Sequence, residues 1–330
     1  MIFSEEKWNN ADEIRPYIGA STALSFDTVY ASLQNAFGLF IRPLVGDKIV
    51  TKLVEIYNSV TDISTIKEET ADKNLKLLYL AQRSNAFLAF WYDYDEFQML
   101  IGDSGVKRQE SDQTKTPYKY QEQSLKDGWK NKGFDALDKL LFFLEKNISD
   151  FEYFKDSEYY TESLNSIVRN TLEVNNYYTI NNSRLIFLRL KTHFRVIEDT
   201  IISPRLGSQF YDSFKKEIAK ETPEGKYNKL RSLLIPVVVF YSVCRLIKET
   251  GSITDRGLFF QTLQGGEDSY QSLSPVTDER LMSQANRAEA DAISYWLSVE
   301  RYLNIEFNIA ATHNKKIPNR NNNGKKSFWA

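Results

Sequence analysis

A short corner between helices is written twice in this chain. One copy reads Ile41-Arg42-Pro43-Leu44-Val45-Gly46-Asp47, and the other reads Ile202-Ser203-Pro204-Arg205-Leu206-Gly207-Ser208. The apolar residues leading into each corner also match. A shift of 161 residues carries Phe26, Val29, Leu33, Phe40 and Ile41 onto Phe187, Leu190, Phe194, Ile201 and Ile202. Apolar residues recurring every three or four positions form one face of a helix. The spacing therefore predicts a helix over 25–41 and a second one up to 202. Proline lacks the backbone donor and clashes with the preceding turn, so Pro43 and Pro204 are expected to stop these helices. Gly46 and Gly207 permit a turn, and Asp47 and Ser208 are expected to cap the next helix. A duplicated helical module points to a scaffold rather than to a single catalytic cleft.

The order of features downstream is the same in both copies. The first copy predicts a helix to about 58, a polar linker over 61–70 and a long helix over 72–97. Leu75, Leu78, Tyr79, Phe90 and Trp91 supply the apolar positions of that long helix, with Gln82 out of pattern. A polar loop over 102–116 follows, and Thr116-Pro117 restarts a helix, since proline is favoured at a first helical position. Gly133 is expected to break that helix, leaving a short one over 135–147. The second copy predicts a long helix over 227–250, then a polar loop over 251–274, and Ser274-Pro275 is expected to restart a helix as Thr116-Pro117 does. The expected fold is mainly α: two tandem, similar helical bundles with long polar loops and an extended C-terminal arm. The expected divisions are 1–150, 151–311 and 312–330.

Composition narrows the function classes. The chain has 330 residues, 42 % of them hydrophobic, so each module has enough apolar residues for a core. The net charge of −2 provides no global field toward nucleic acid or membrane. Cys244 is the only cysteine, so no intrachain disulfide can form. The first residues show no basic-then-apolar leader pattern. The apolar run around Cys244 is broken by Pro236 and falls short of the roughly 20 residues of a membrane span. A cytoplasmic site of synthesis is expected, with no membrane partner.

Motifs that carry chemistry are sparse. The sequence has no Gly-x4-Gly-Lys-Ser/Thr phosphate loop and no Gly-x-Gly-x-x-Gly fingerprint. Its two histidines, His193 and His313, are far apart, which argues against a zinc site. Asp93, Asp95 and Glu96 cluster at the end of a long helix and read as a solvated helix end. No catalytic residue, metal or cofactor is expected, and the chain is not expected to be an enzyme. Binding residues are expected elsewhere. The loop over 102–116 offers Asp103, Ser104, Arg108, Glu110 and Asp112 for polar contacts between subunits. The arm has no acidic residue, and it carries Lys315, Lys316, Arg320, Lys325 and Lys326. It ends in Phe328 and Trp329, aromatic anchors of the kind that interface hot spots favour.

The corner Ile41–Asp47, the long aromatic helix, and the segments 104–111 and 114–121 together resemble a known family. They are similar to head–tail connectors, the adaptor or ring proteins of tailed phages of gut Bacteroidetes, including crAss-like phages. The resemblance is best over 10–147 and weaker over 175–305. It implies a ring of about twelve copies, lying below the portal, with DNA passing through without sequence-specific binding. It implies that the 102–116 loop reaches a neighbouring subunit and that the arm docks on the portal or the next ring. The implied partners are the chain itself, the portal protein and neighbouring tail or ring proteins. The implied place is the neck and tail of a virion assembled in the host bacterial cytoplasm. Simple adaptors carry one module, so the second copy is a departure. A different reading is an intracellular helical protein-binding module that is not part of a virion.

Overall fold

The computed structural model describes residues 2–4, 12–19, 24–102, 105–108, 118–250, 259–262, 272–275 and 278–309. The fold is mainly α. Contacts divide the chain into two units. The first comprises Met1–Ser163, Asn170–Asn175 and Thr179–Leu188, and the second comprises Leu164–Arg169, Asn176–Tyr178 and Arg189–Ala330.

The first module begins with α1 (Arg15–Ile18), α2 (Phe26–Ala36), a π turn π1 (Phe37–Ile41), α3 (Arg42–Val45) and α4 (Asp47–Ser59). The long helix α5 (Lys73–Tyr92), the hairpin strands β1 (Met99–Gly102) and β2 (Gly105–Arg108), and α6 (Lys119–Lys146) follow. Next come α7 (Glu158–Leu164) and α8 (Thr171–Asn175). The second module repeats the order with α9 (Arg184–Ile197), π2 (Glu198–Ile202), α10 (Ser203–Leu206) and α11 (Ser208–Ile218). It continues with α12 (Gly225–Thr250), strands β3 (Phe259–Thr262) and β4 (Ser272–Pro275), and α13 (Asp278–Phe307). From Phe37 to Glu198 the shift is 161 residues, and it carries π1 onto π2, α3 onto α10 and Gly46 onto Gly207.

The duplicated corner differs from its expected form. Pro43 does not end the helix, because the chain passes through π1 into one further turn of α3. Arg42 N–H donates to Phe37 O, the five-residue step of a π turn. That wider turn falls just before the proline, where an α ladder would press the ring against the carbonyl four residues back. Pro204 stands in the same relation to π2 and α10. Gly46 and Gly207 both take φ +81°, a left-handed backbone that favours glycine. They, rather than Asp47 and Ser208, occupy the N-cap positions of α4 and α11.

Three further expectations are corrected. The long helix ends at Tyr92 and not at 97, with Asp72 capping its start by accepting from Asn74 N at 2.7 Å. The helix after the first loop is continuous, so Gly133 does not break it. A Cβ on Gly133 would lie 2.8 Å from Cγ and Cδ2 of buried Leu88 on α5. The glycine allows α5 and α6 to approach closely, and that packing outweighs its weak helix propensity, a cost of about 1 kcal/mol. Both loops contain antiparallel strands, and Ser274-Pro275 closes β4 instead of starting a helix, which begins at Asp278. β1 pairs with β2 from Met99↔Arg108 to Gly102↔Gly105, and β3 pairs with β4 from Phe259↔Pro275 to Thr262↔Ser272. Pairing of Gly102 with Gly105 across a two-residue connection suits a tight hairpin.

In the first unit, α2, α4, α5 and α6 enclose the core, with Leu33, Leu53, Leu78, Leu88, Leu137 and Leu140 almost fully buried. Gln82 is buried there because it is satisfied. Its Nε2 donates to Ile2 O at 2.7 Å, and Tyr17 OH donates to its Oε1 at 3.1 Å. In the second unit α12 packs along α13. The stretch Gly225–Glu249 is long and apolar enough to cross a membrane, and 83 % of its apolar window is buried inside the structure. Pro236 sits within this helix without ending it.

Candidate interaction site

Of the residues expected to mediate contacts, Arg108 is described. It is the last residue of β2 and pairs with Met99. Asp103, Ser104, Glu110 and Asp112 lie outside the described residues, as do Lys315, Lys316, Arg320, Lys325, Lys326, Phe328 and Trp329.

The acidic cluster after α5 is dispersed. Asp93 is buried and closes the helix, its N–H donating to Ala89 O at 3.1 Å. Asp95 pairs with Lys126 of α6 at 2.9 Å. Among the described residues no group of three or more His, Cys, Asp or Glu is arranged to hold a metal ion. His193 is buried against Glu249 at 3.8 Å, and desolvation holds its pKa below the usual histidine range. Cys244 is buried beside Lys248 and Glu289, and desolvation pushes its thiol pKa up, which disfavours the reactive thiolate.

The open surface that follows the first hairpin is aromatic. Tyr118 N-caps α6, and its N–H donates to Gln121 Oε1 at 3.1 Å. This cap holds Tyr118 and Tyr120 in a parallel stack, with centroids 5.8 Å apart and planes 10° apart. The two rings are 71 % and 67 % exposed, so the stack faces solvent. Next to it runs a groove of about 420 Å³ lined by Tyr120, Gln121, Ser124, Leu125, Gly128, Trp129 and Lys132. Gly128 leaves its floor open, since a Cβ there would meet nothing within 4 Å. Trp129 is held from behind by Phe90, edge-on at 5.5 Å, and by Tyr94 at 5.7 Å. Rigid aromatics with a wet hydroxyl edge and one lysine are suited to gripping another protein surface. The sequence reading missed these residues. The signal available was Tyr118-Lys119-Tyr120 at the end of a polar loop, where no core position requires two rings.

Each unit contains a buried polar node. In the first unit, Arg184 has a side chain only 1 % exposed and contacts Asp138 Oδ1 at 3.3 Å. Its guanidinium lies over the rings of Phe187 at 4.7 Å and Tyr159 at 5.1 Å. Thr171 also donates to Asp138. Burial raises the pKa of Asp138 and lifts that of nearby Glu145 to about 7. The second node is Glu198 at the start of π2. It accepts from Ile167 N at 3.0 Å, from Tyr211 OH at 3.1 Å and from Lys215 Nζ. The equivalent position in the first copy holds buried Phe37. The same π turn thus carries an apolar plug in one module and a charged node in the other.

Comparison with known families agrees with the internal repeat. The chain belongs to a family described as a family of unknown function (DUF6712), whose model matches residues 41–163 and 202–308. The two segments start 161 residues apart, at Ile41 and Ile202, the last residues of π1 and π2. No curated protein and no solved structure matches the chain.

Proposed function

We propose that this protein is a virion structural component, a ring-forming head–tail connector that links the portal to the tail and lines the DNA exit path. The observation that carries the reading is where the connector-like segments fall in the fold. Ile41–Asp47 forms the π1–α3 corner, 104–111 includes β2, and 114–121 leads into the stacked tyrosines of α6. The resemblance thus maps to a rigid corner, a hairpin and an open aromatic surface, the parts a subunit would use to hold its neighbours. About twelve copies close the ring through heterologous contacts, in which one face of a subunit meets a different face of the next. Each contact is modest, and avidity makes the ring stable. The role is structural: the chain binds portal and neighbouring tail proteins, and DNA passes through without sequence readout.

Light scattering of the purified chain, with electron microscopy of the chain mixed with portal, tests this. The expected result is rings, formed alone or only on portal. A chain that stays monomeric and ignores portal refutes the connector role and favours the intracellular binding module.

A further inference from the structure

The helix α13 carries two apolar stripes, about 115° apart around its axis at 3.6 residues per turn. Its inner stripe of Ala285, Ala288, Ala292, Trp296, Val299 and Leu303 is buried, and the helix packs on α12. Its outer stripe runs Met282, Asn286, Ala290, Ile293, Leu297, also at three- and four-residue steps. Met282, Ile293 and Leu297 are 48 %, 49 % and 46 % exposed, so the described residues leave them open. A surface helix in a finished structure normally turns one stripe inward and keeps the other face polar. A second stripe on a 30-residue helix marks a docking surface.

The charges that bracket the stripe indicate what covers it. Exposed Glu279 lies on the same face near the N-terminal end, and exposed Arg301 lies on it near the C-terminal end. They are separated by about 33 Å at the helical rise of 1.5 Å per residue. Such a surface is complementary to itself when reversed. We infer that the free chain pairs with a second copy of itself through an antiparallel contact between the two α13 helices. In the register that sets Ala290 against Ile293 of the second copy, the small side chain receives the large one at the centre. Leu297 then faces Asn286 of the second copy, and Arg301 faces Met282 of the second copy. The guanidinium of Arg301 thus comes within one helical turn of Glu279 of the second copy, at both ends by symmetry. A two-fold contact of this kind cannot be the contact of a closed ring, which must be heterologous. The pair is therefore a state of the free chain, apart from the connector assembly.

Sedimentation equilibrium of the full chain tests the inference. A dimer is expected over roughly 10–100 µM, where a pair with a Kd of about 10 µM goes from half to mostly associated. Arg301→Glu should weaken it at least about tenfold, because it sets like charges opposite each other at both ends. Glu279→Arg combined with Arg301→Glu should restore it, and Leu297→Asp should abolish it. All these positions are exposed, so circular dichroism should remain that of the native chain. A monomer throughout that range, a dimer indifferent to Arg301→Glu, or no rescue by the charge swap overturns the inference. Rings on portal from a chain that is otherwise monomeric would overturn the pair and leave the connector reading standing. A pair that obeys the charge swap, from a chain that ignores portal, would do the reverse.

Discussion

The duplicated corner makes one substitution informative at two sites. Gly46 and Gly207 share φ +81° and the same place in their modules, so alanine suffers the same backbone strain at each. Holding a non-glycine residue in that region costs about 1–3 kcal/mol. The surroundings differ. A Cβ on Gly46 would lie 3.1 Å from Ser157 Cβ and 3.3 Å from Ser157 Cα, and Ser157 is buried. A Cβ on Gly207 would meet nothing within 4 Å. Overpacking against a backbone atom that cannot step aside adds about 1–3 kcal/mol. Gly207→Ala should therefore cost about 1–3 kcal/mol and Gly46→Ala about 2–6 kcal/mol. Urea unfolding of the full chain gives the totals, and hydrogen exchange in α4 and α11 assigns each loss to its module. Ser157→Gly should relieve part of the extra penalty at Gly46, since it removes the 3.1 Å contact with Cβ and leaves the 3.3 Å contact with Cα. Its own cost is a few tenths of a kcal/mol, since glycine is a tolerable N-cap and Ser157 Oγ accepts from Tyr160 N at 3.2 Å. Equal losses at the two glycines, or no relief from Ser157→Gly, would refute the steric account.

Other outcomes are expected. Glu198→Ala should destabilise the second module by about 2–4 kcal/mol, since it strands buried donors; Glu198→Gln should cost less, and a loss under about 1 kcal/mol in urea would contradict the node. Burial raises the pKa of Glu145 in the folded state to about 7. The folded chain therefore holds that proton more tightly than the unfolded chain, and stability should fall as pH rises from the ordinary glutamate range toward 7. Glu145→Gln should flatten that fall and, at pH 8, stabilise by roughly 1–3 kcal/mol in denaturant melts; an unchanged pH profile would count against it. Deleting 314–330 should leave the melting temperature intact and weaken assembly with portal by electron microscopy. Undiminished assembly would remove the arm from the mechanism.

How much of this was legible in the chain depends on how local each feature is. The helices of both modules, their order and the repeat were readable, because apolar spacing and the proline–glycine pair act within a few residues. The signal weakened where a distant residue decides. Gly133 reads as a breaker by propensity, but Leu88 on α5 makes it a close-approach site. Glu198 carries no mark of burial in the sequence. Its three donors come from Ile167, Tyr211 and Lys215, at separations no local pattern encodes. Half of the groove was missed for the same reason, since Trp129 could equally have been a core residue.

The sequence by itself determined that this is a mainly α chain built from one helical module used twice, with a proline–glycine corner at a constant shift. Helix periodicity and the backbone demands of proline and glycine are properties of short segments, and they do not wait for packing. Tertiary structure alone decided that the prolines follow π turns instead of ending helices, and that Gly133 joins two helices instead of breaking one. It also decided which aromatic rings stay exposed on α6, and which of the two stripes on α13 is buried. Burial is a property of neighbours, and those neighbours are brought together only when the module closes.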